Sequence, residues 1–323
     1  MKRVFISGLL ICTIAVVSVL AQNETEPYDS ELINQNNVKA QTTYDYDYIN
    51  GKPAKKGTRS LSIKFDSKGN KIEEIGYKGK GEVYYVQTYA YDAKSRMTEY
   101  CKYKGNRKTV EYKMVVKYDN NGNKLLETGF NGSENFKNVY TYGNDGRIAQ
   151  TVYYVGSRID ERRNHIHKGN VTEVTVQSGN GVQLYMLKDY YDNKHNLIKE
   201  EQVENNHTIS RRMEYDYDSK GNQTSEAKYM NNKLVYRIDR IFDSKGKLVE
   251  VNQENSGAPR FLANKYKYDS TGRISEELFR SDTSKEFSKN IYKYQDNGLP
   301  EAVDSYFASY KYQVLYIYAY ETY

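Results

Sequence analysis

Apolar and polar residues alternate at period two along most of this chain, and one short phrase interrupts the alternation again and again. From Asn264 to Tyr268 the rings of Tyr266 and Tyr268 fall on one side and Lys265 and Lys267 on the other, and Arg273 to Leu278 resumes the alternation. Period-two segments of this length predict half-buried β-strands. The phrase between them is an aromatic residue, Asp, two small or polar residues, Gly, and then Asn, Lys or Arg. It first reads Phe65-Asp66-Ser67-Lys68-Gly69-Asn70. It returns as Tyr118-Asp119 with Gly122, Tyr217-Asp218 with Gly221, Phe242-Asp243 with Gly246, and Tyr268-Asp269 with Gly272. Degenerate copies fill the gaps: Tyr91-Asp92 with Ser95, Tyr142 with Gly143 and Gly146, Tyr191-Asp192 with His195, Tyr294-Gln295 with Gly298, and a worn stretch from His165 to Asn170. Leading residues stand 23 to 27 positions apart. A period this even, with so much substitution between copies, marks a structural unit.

The phrase predicts a tight turn. Asp favours the first position because its carboxylate accepts from amides ahead of it. Gly supplies the left-handed residue that closes a three-residue loop with a bulge. His is tolerated there, which accounts for His195, whereas Ser95 predicts a different turn. The loop would set Asp269 opposite Arg273, Tyr268 opposite Ile274 and Tyr266 opposite Glu276. The same arithmetic pairs Tyr142 with Ile148 and Phe242 with Leu248. It pairs Tyr118 with Leu125 and Phe65 with Ile72, one residue out of step.

Each unit is therefore two antiparallel strands in about 25 residues, and one unit does not stand alone. Ordering a backbone costs about 1–2 kcal/mol per residue, more than a handful of apolar side chains returns at about 1.5–3 kcal/mol each. Units must join edge to edge. About twenty strands ~4.8 Å apart would make a flat ribbon roughly 95 Å long, and strands twist. The expected fold is all-β: tandem antiparallel β-hairpin repeats forming one long, curled or spiralling sheet, with its tyrosine-rich face inward. With 35 Tyr, nine Phe and no Trp, tyrosine rings dominate the apolar contribution, and their hydroxyls need partners. Glu74, Glu99, Glu127, Glu173, Glu250, Glu276 and Glu301 recur two residues after the strand aliphatic. They are expected on the aromatic face, accepting from tyrosine hydroxyls or meeting water at the sheet margin.

Residues 1–21 read as a secretory signal: Lys2 and Arg3 open it, Val4 to Val17 is largely apolar, and Val19-Leu20-Ala21 offers a cleavage site before Gln22. Residues 22–42, rich in Asn, Gln and Glu, are expected to form a flexible leader. Residues 43–323 form a single β-repeat domain, opened by a hairpin over Asn50-Gly51. Cys12 lies in the signal, so Cys101 alone remains and no internal disulfide is expected. Without Lys2 and Arg3 the net charge falls from +6 to +4, with Lys and Glu interspersed. That is a solvated surface with no nucleic-acid stripe. No later run is apolar enough for a transmembrane helix.

The phrase, preceded by Tyr-x-Tyr and repeated in tandem, resembles the YD repeats of RHS-type proteins from about Tyr44 to Pro300. The resemblance implies an extended sheet that curls into a shell or coil on a secreted or surface protein. Members often enclose a toxic C-terminal domain, and others are discussed as carbohydrate or adhesion surfaces. This chain departs from the pattern. Its spacing is longer, Arg follows Gly only at Arg147 and Arg273 among the clear copies, and the chain ends about two strands after Pro300. The toxin-shell role is therefore not expected. Arg240 to Leu248 also resembles a phrase from choline- or glucan-binding wall repeats, which build their slots from Trp; this chain has none.

No motif identifies a reaction. His165 and His167 share a strand face without Cys/His/Asp spacing to complete a metal site. There is no nucleophile elbow, phosphate loop or zinc-protease helix, and nothing singles out a glycosidase-like pair of carboxylates. The recurrent Asp fits turn geometry better than calcium. No cofactor or metal is expected. Asp66, Gly69, Asp119, Gly122, Gly146, Asp218, Gly221, Asp243, Gly246, Asp269, Gly272 and Gly298 are assigned to repeat turns, and no binding residue is assigned. The closing Tyr310 to Tyr323 reads as a last strand or pair that caps the sheet, and Lys and Glu on both predicted faces argue against a lipid-facing barrel. The expected protein is an exported, non-enzymatic repeat protein that presents a β surface to a carbohydrate or a cell-envelope protein. A purely structural spacer in the periplasm or at the surface is the alternative, and a secreted glycan-active enzyme the third reading.

Overall fold

The computed structural model describes residues 29–323. The expected signal lies outside the described residues. Ten hairpins follow one another, from Thr58–Phe65 with Lys71–Tyr77 to Ser288–Tyr294 with Pro300–Phe307. Each joins the next by antiparallel pairing, as all-β edge-to-edge stacking requires.

The sheet does not stay open. The first strand, Val38–Ile49, pairs with Thr58–Phe65 on one side and with the final strand, Tyr312–Thr322, on the other. Thr43 thus lies between Leu61 and Tyr318. All but one of the 23 strands close into a 22-strand barrel, and Lys52–Pro53 only folds back on the first strand across Asn50-Gly51. This corrects the curled or spiralling sheet. An open sheet leaves two rows of unpaired amides and carbonyls, and closure removes both. A ring of 22 strands tilted ~40° would be about 45 Å across if round, too wide for side chains to fill. Burial is accordingly patchy: every position of Ile148–Val155 is only half-buried, whereas Phe65, Val86, Val176 and Val303 are buried.

The register repeats almost without change. In nine hairpins the leading aromatic pairs with the residue six further on, and the residue before it pairs with the one eight beyond the aromatic. Tyr268 faces Ile274, Tyr142 faces Ile148 and Phe242 faces Leu248, as expected. Phe65 faces Lys71 and Tyr118 faces Lys124, however, in place of Ile72 and Leu125. The geometry is constant and the sequence wobbles: Ile72 and Leu125 occupy the unpaired bulge position. The bulge also sets Tyr266 opposite Glu277, not Glu276.

The turn at Ser95 is the same turn as the others, not a different one: Ser95 N–H donates to Asp92 O at 3.0 Å with φ +58°. The side-chain amide of Asn70 in the preceding unit donates to its hydroxyl at 3.2 Å. His195 adopts φ +65°. The worn copy uses a two-residue turn, Gly169-Asn170, between Lys168 and Val171.

The stretch expected as a flexible leader is built into the fold from Asp29 onward. Asp29 Oδ1 accepts from the amides of Glu31 and Leu32 at 2.9 and 3.1 Å, capping the helix Ser30–Gln35. Leu32 and Ile33 pack with Val38, Ile63, Phe65, Leu299 and Tyr320, so the helix crosses the seam and ties the first hairpin to the tenth. A Cβ on Gly69 would lie 2.4 Å from Ser30 O, so the first turn must be glycine for space as well as for its φ of +80°.

Candidate functional site: two unlike rims and the girdle between them

All the assigned turn residues stand at one rim. Gly69, Gly122, Gly146, Gly221, Gly246, Gly272 and Gly298 have φ between +75° and +96°. The carboxylates of Asp66, Asp119, Asp218, Asp243 and Asp269 each accept the amide four residues on, at 2.8–2.9 Å. The side chains of Asn70, Asn123 and Asn222 fill the second oxygen of their own Asp. The Asn123 and Asn222 amides and the turn N–H groups hold the Asp119 and Asp218 carboxyls below their usual range. These oxygens are therefore engaged by the turn itself and do not converge on a cation.

Neighbouring turns are tied together. Lys68 Nζ donates to Ala93 O, Lys194 to Ser219 O, Lys220 to Ser244 O and Lys247 to Gly272 O, at 2.7–3.3 Å. The leading tyrosines form a second ladder. Tyr91, Tyr118, Tyr142, Tyr217, Tyr268 and Tyr294 donate to the carbonyls of Lys71, Met97, Lys124, Leu197, Leu248 and Ile274 in the preceding units, at 2.6–2.9 Å. Tyr320 of the final strand continues the ladder to Pro300 O at 2.9 Å. In the worn unit His167, not His165, takes the tyrosine's place, with Nε2 at 3.0 Å from Ile148 O. Its Nδ1 meets Thr172 Oγ1, so both ring nitrogens are occupied.

One turn further from this rim runs a girdle of acids and tyrosines. Ile63 faces Glu74, Val116 Glu127, Asp189 Glu200, Tyr215 Glu226 and Tyr266 Glu277. Tyr85 donates to Glu74 at 2.8 Å, Tyr140 to Glu127 at 2.6 Å, Tyr236 to Glu226 at 2.7 Å and Tyr292 to Glu277 at 3.0 Å; Tyr215 donates to Glu200. Of the acids expected here, Glu74 and Glu127 accept from tyrosines. Glu99, Glu173, Glu250 and Glu276 instead meet Lys113, Lys168 with Lys188, Lys265 and Lys267, and Glu301 is exposed. Reading the face two residues past the aliphatic ignored the bulge. The deciding acid lies nine residues after the leading aromatic, a spacing visible in the sequence once the bulge is known.

Burial opposes the charge on Glu127, which is 1% exposed, yet Lys124, Tyr140 and Asn138 together hold its carboxyl below the usual range. Asp189 has less help. Burial and the facing Glu200 charge push it up to about 6, against the pull of Arg211. Burial, then the His167 and Arg163 charges, lowers His165 to about 4, so it is neutral at physiological pH. Most acids of the girdle are satisfied: Glu74, Glu127, Glu226 and Glu277 each hold two or three donors.

The opposite rim is irregular. Its longest connection without regular structure of its own, residues 280–287, stands beside the short 3-10 turn Ala308–Tyr310. Between them is a hollow of about 240 Å³ lined by Phe279, Arg280, Ser281, Ser284, Phe307 and Tyr310, among others. Phe307 stacks at 20° on Tyr312 and meets Phe279 edge-on, each at 6.2 Å. Arg280 Nε donates to Leu262 O at 3.0 Å, and its guanidinium lies 4.7 Å from the Phe287 ring centre. Of these residues the sequence pattern singled out the closing tyrosines from Tyr310 onward, and assigned them to capping the sheet. The available signal was the loop length, eight residues where the adjacent connections have four or five, with three Ser or Thr in the five positions from Ser281 to Lys285.

No known protein family matches the sequence, and no curated protein is similar to it. Solved structures that it resembles include the TcdB2-TccC3-TEV crystal structure, at 10% identity and a TM-score of 0.33 over 80% of this chain and 16% of that one. A Photorhabdus luminescens Tc holotoxin pore follows at 11% identity and a TM-score of 0.29, over 82% of this chain and 19% of that one. A porin-like protein from Bacteroides uniformis shares 9% identity and a TM-score of 0.32, over 88% of this chain and 97% of that one. The chain spans less than a fifth of the toxin chains. These are loose likenesses of strand arrangement, and they do not show a YD-repeat family. The architecture, a barrel of antiparallel hairpins, stands on the register described above.

Proposed function

We propose that this chain is an exported, non-enzymatic binding protein whose irregular rim is the recognition surface and whose partner is a glycan or another envelope component. The observation that carries the reading is the contrast between the rims. At the phrase rim the carboxylates, lysines and tyrosine hydroxyls are spent on neighbouring turns. At the loop rim, aromatic rings, serine hydroxyls and basic side chains surround a hollow. The basic start and apolar run of residues 1–21 support export, and charged residues on both predicted strand faces argue against a lipid-facing barrel.

The test is a glycan array combined with capture from envelope extract, using the mature chain and a variant with residues 280–287 replaced by Asn-Gly. Binding that disappears in the variant, with an unchanged melting temperature, supports the reading. Failure to find any partner in either screen overturns it in favour of a structural spacer.

A further inference from the structure

Resting on the binding reading, we propose that the hollow beside residues 280–287 is a subsite for an acidic sugar, with Arg280 receiving its carboxylate. Arg280 differs from most arginines of the barrel. Arg96, Arg147, Arg163, Arg237, Arg240 and Arg273 each meet an Asp or Glu. No carboxylate pairs with Arg280 among the described residues, and the nearby Asp282 is occupied by Asn255 Nδ2 at 2.7 Å. Backbone and ring contacts fix the guanidinium through Nε and its face, and its terminal nitrogens remain to donate. A guanidinium oriented in this way is suited to bidentate contact with a carboxylate.

The remaining wall specifies a ring that is apolar on one face and hydroxylated at its edge. Phe307 is held flat by Tyr312, and Tyr310 is 83% exposed. Aromatic rings of this kind offer an apolar surface to the C–H face of a pyranose. Ser284 Oγ lies 2.9 Å from Ser281 Oγ and 3.2 Å from Ser309 Oγ, a chain of hydroxyls that can donate or accept. A volume of about 240 Å³ is below the usual ~300 Å³ for drug-sized sites, which favours one sugar ring over a longer segment. The adjoining hollow carries Lys285 and Lys311 against a single acid, Glu286. Net positive charge continues beyond the subsite, as a polymer of acidic sugars would require.

The experiment is calorimetric titration of the full mature chain with oligogalacturonate, oligomannuronate and a sialylated oligosaccharide. Methyl-esterified oligogalacturonate removes the charge and keeps the ring; polyglutamate keeps the charge and removes the ring. At least one acidic saccharide should bind, with an affinity about ten- to a hundredfold above its uncharged or ring-free counterpart. R280Q should lose the same factor, and R280K should recover part of it. Y310A, at an exposed position, should weaken binding without changing the melting temperature. Binding unaffected by esterification or by R280Q overturns the proposal, as does polyglutamate binding as tightly as the saccharides. If all three saccharides fail while the array finds a neutral glycan or a protein partner, the acidic-sugar inference falls and the binding reading stands. If no partner is found at all, both fall.

Discussion

The two rims of this barrel are made by the same chain at the same period, and they have opposite characters. At the phrase rim most turns repeat the last: Asp accepts from the residues ahead, a left-handed residue closes the loop, and a lysine or tyrosine reaches the neighbouring unit. At the other rim connections vary in length and share no phrase. The difference follows from which groups are free. A turn whose carboxylate already holds two or three donors has little to offer a ligand. A loop that is not required to repeat can keep a guanidinium and several hydroxyls available.

The severest way to break the comparison is to open the seam on which both rims depend. Deleting residues 312–323 removes the strand that joins Val38–Ile49 to Pro300–Phe307 and exposes two long edges. No folded monomer is expected by size exclusion and circular dichroism. A monomer with full strand content would mean that the phrase hairpins persist without closure.

The second test separates the rim carboxylates from Asp189 of the girdle by the sign of their pH dependence. Asp119 and Asp218 titrate below the unfolded range, so their contribution is present above about pH 4 and is lost as pH falls further. Asp189 titrates at about 6, so its contribution is present below about pH 4 and is lost as pH rises through 6. Asp189→Asn should therefore stabilise the barrel by about 1–3 kcal/mol at pH 7.5 and have little effect near pH 4. Denaturant unfolding at the two values checks this; equal effects at both would contradict the assignment.

A third test compares the rims residue by residue. Gly221→Val forces a β-branched residue to φ +88° and should cost about 1–3 kcal/mol. Glu286→Ala, on the opposite loop, should change stability by no more than about 0.5 kcal/mol. Similar losses at both positions would erase the distinction. The smallest effect belongs to the tyrosine ladder. Tyr217→Phe removes one hydrogen bond to Leu197 O and should cost about 0.5–1.5 kcal/mol. Phe242 already leads its unit without a hydroxyl, so the barrel tolerates one missing rung.

Much of the local structure was legible. Tyr268 opposite Ile274 and Phe242 opposite Leu248 follow from turn length alone, because the loop type sets the register. The leading tyrosines announced a shared face. The bulge was harder to place, since Ile72 and Leu125 look like paired aliphatics until the constant spacing of the backbone is seen. For the same reason Glu276 looked like the tyrosine's partner in place of Glu277. His167 could not be told from His165, because the worn unit shortens its turn and moves the ladder position. The hollow around Arg280 left almost no trace, since Phe279, Arg280, Phe307 and Tyr310 come from two strand ends and the connections after them, which share no common pattern.

Hairpins, their turn and their approximate size were written into the sequence, because each depends on contacts within about 25 residues: a carboxylate with nearby amides, a glycine with its own φ, a strand with the next. Closure was not. Gln41 meets Tyr320 only when ten units have curved far enough to bring the ends together, and that curvature sums small twists that no single phrase encodes. The ordered helix at Ser30–Gln35 has the same origin: its two aliphatic residues, Leu32 and Ile33, are held by Phe65 and Leu299, which become neighbours only across the seam.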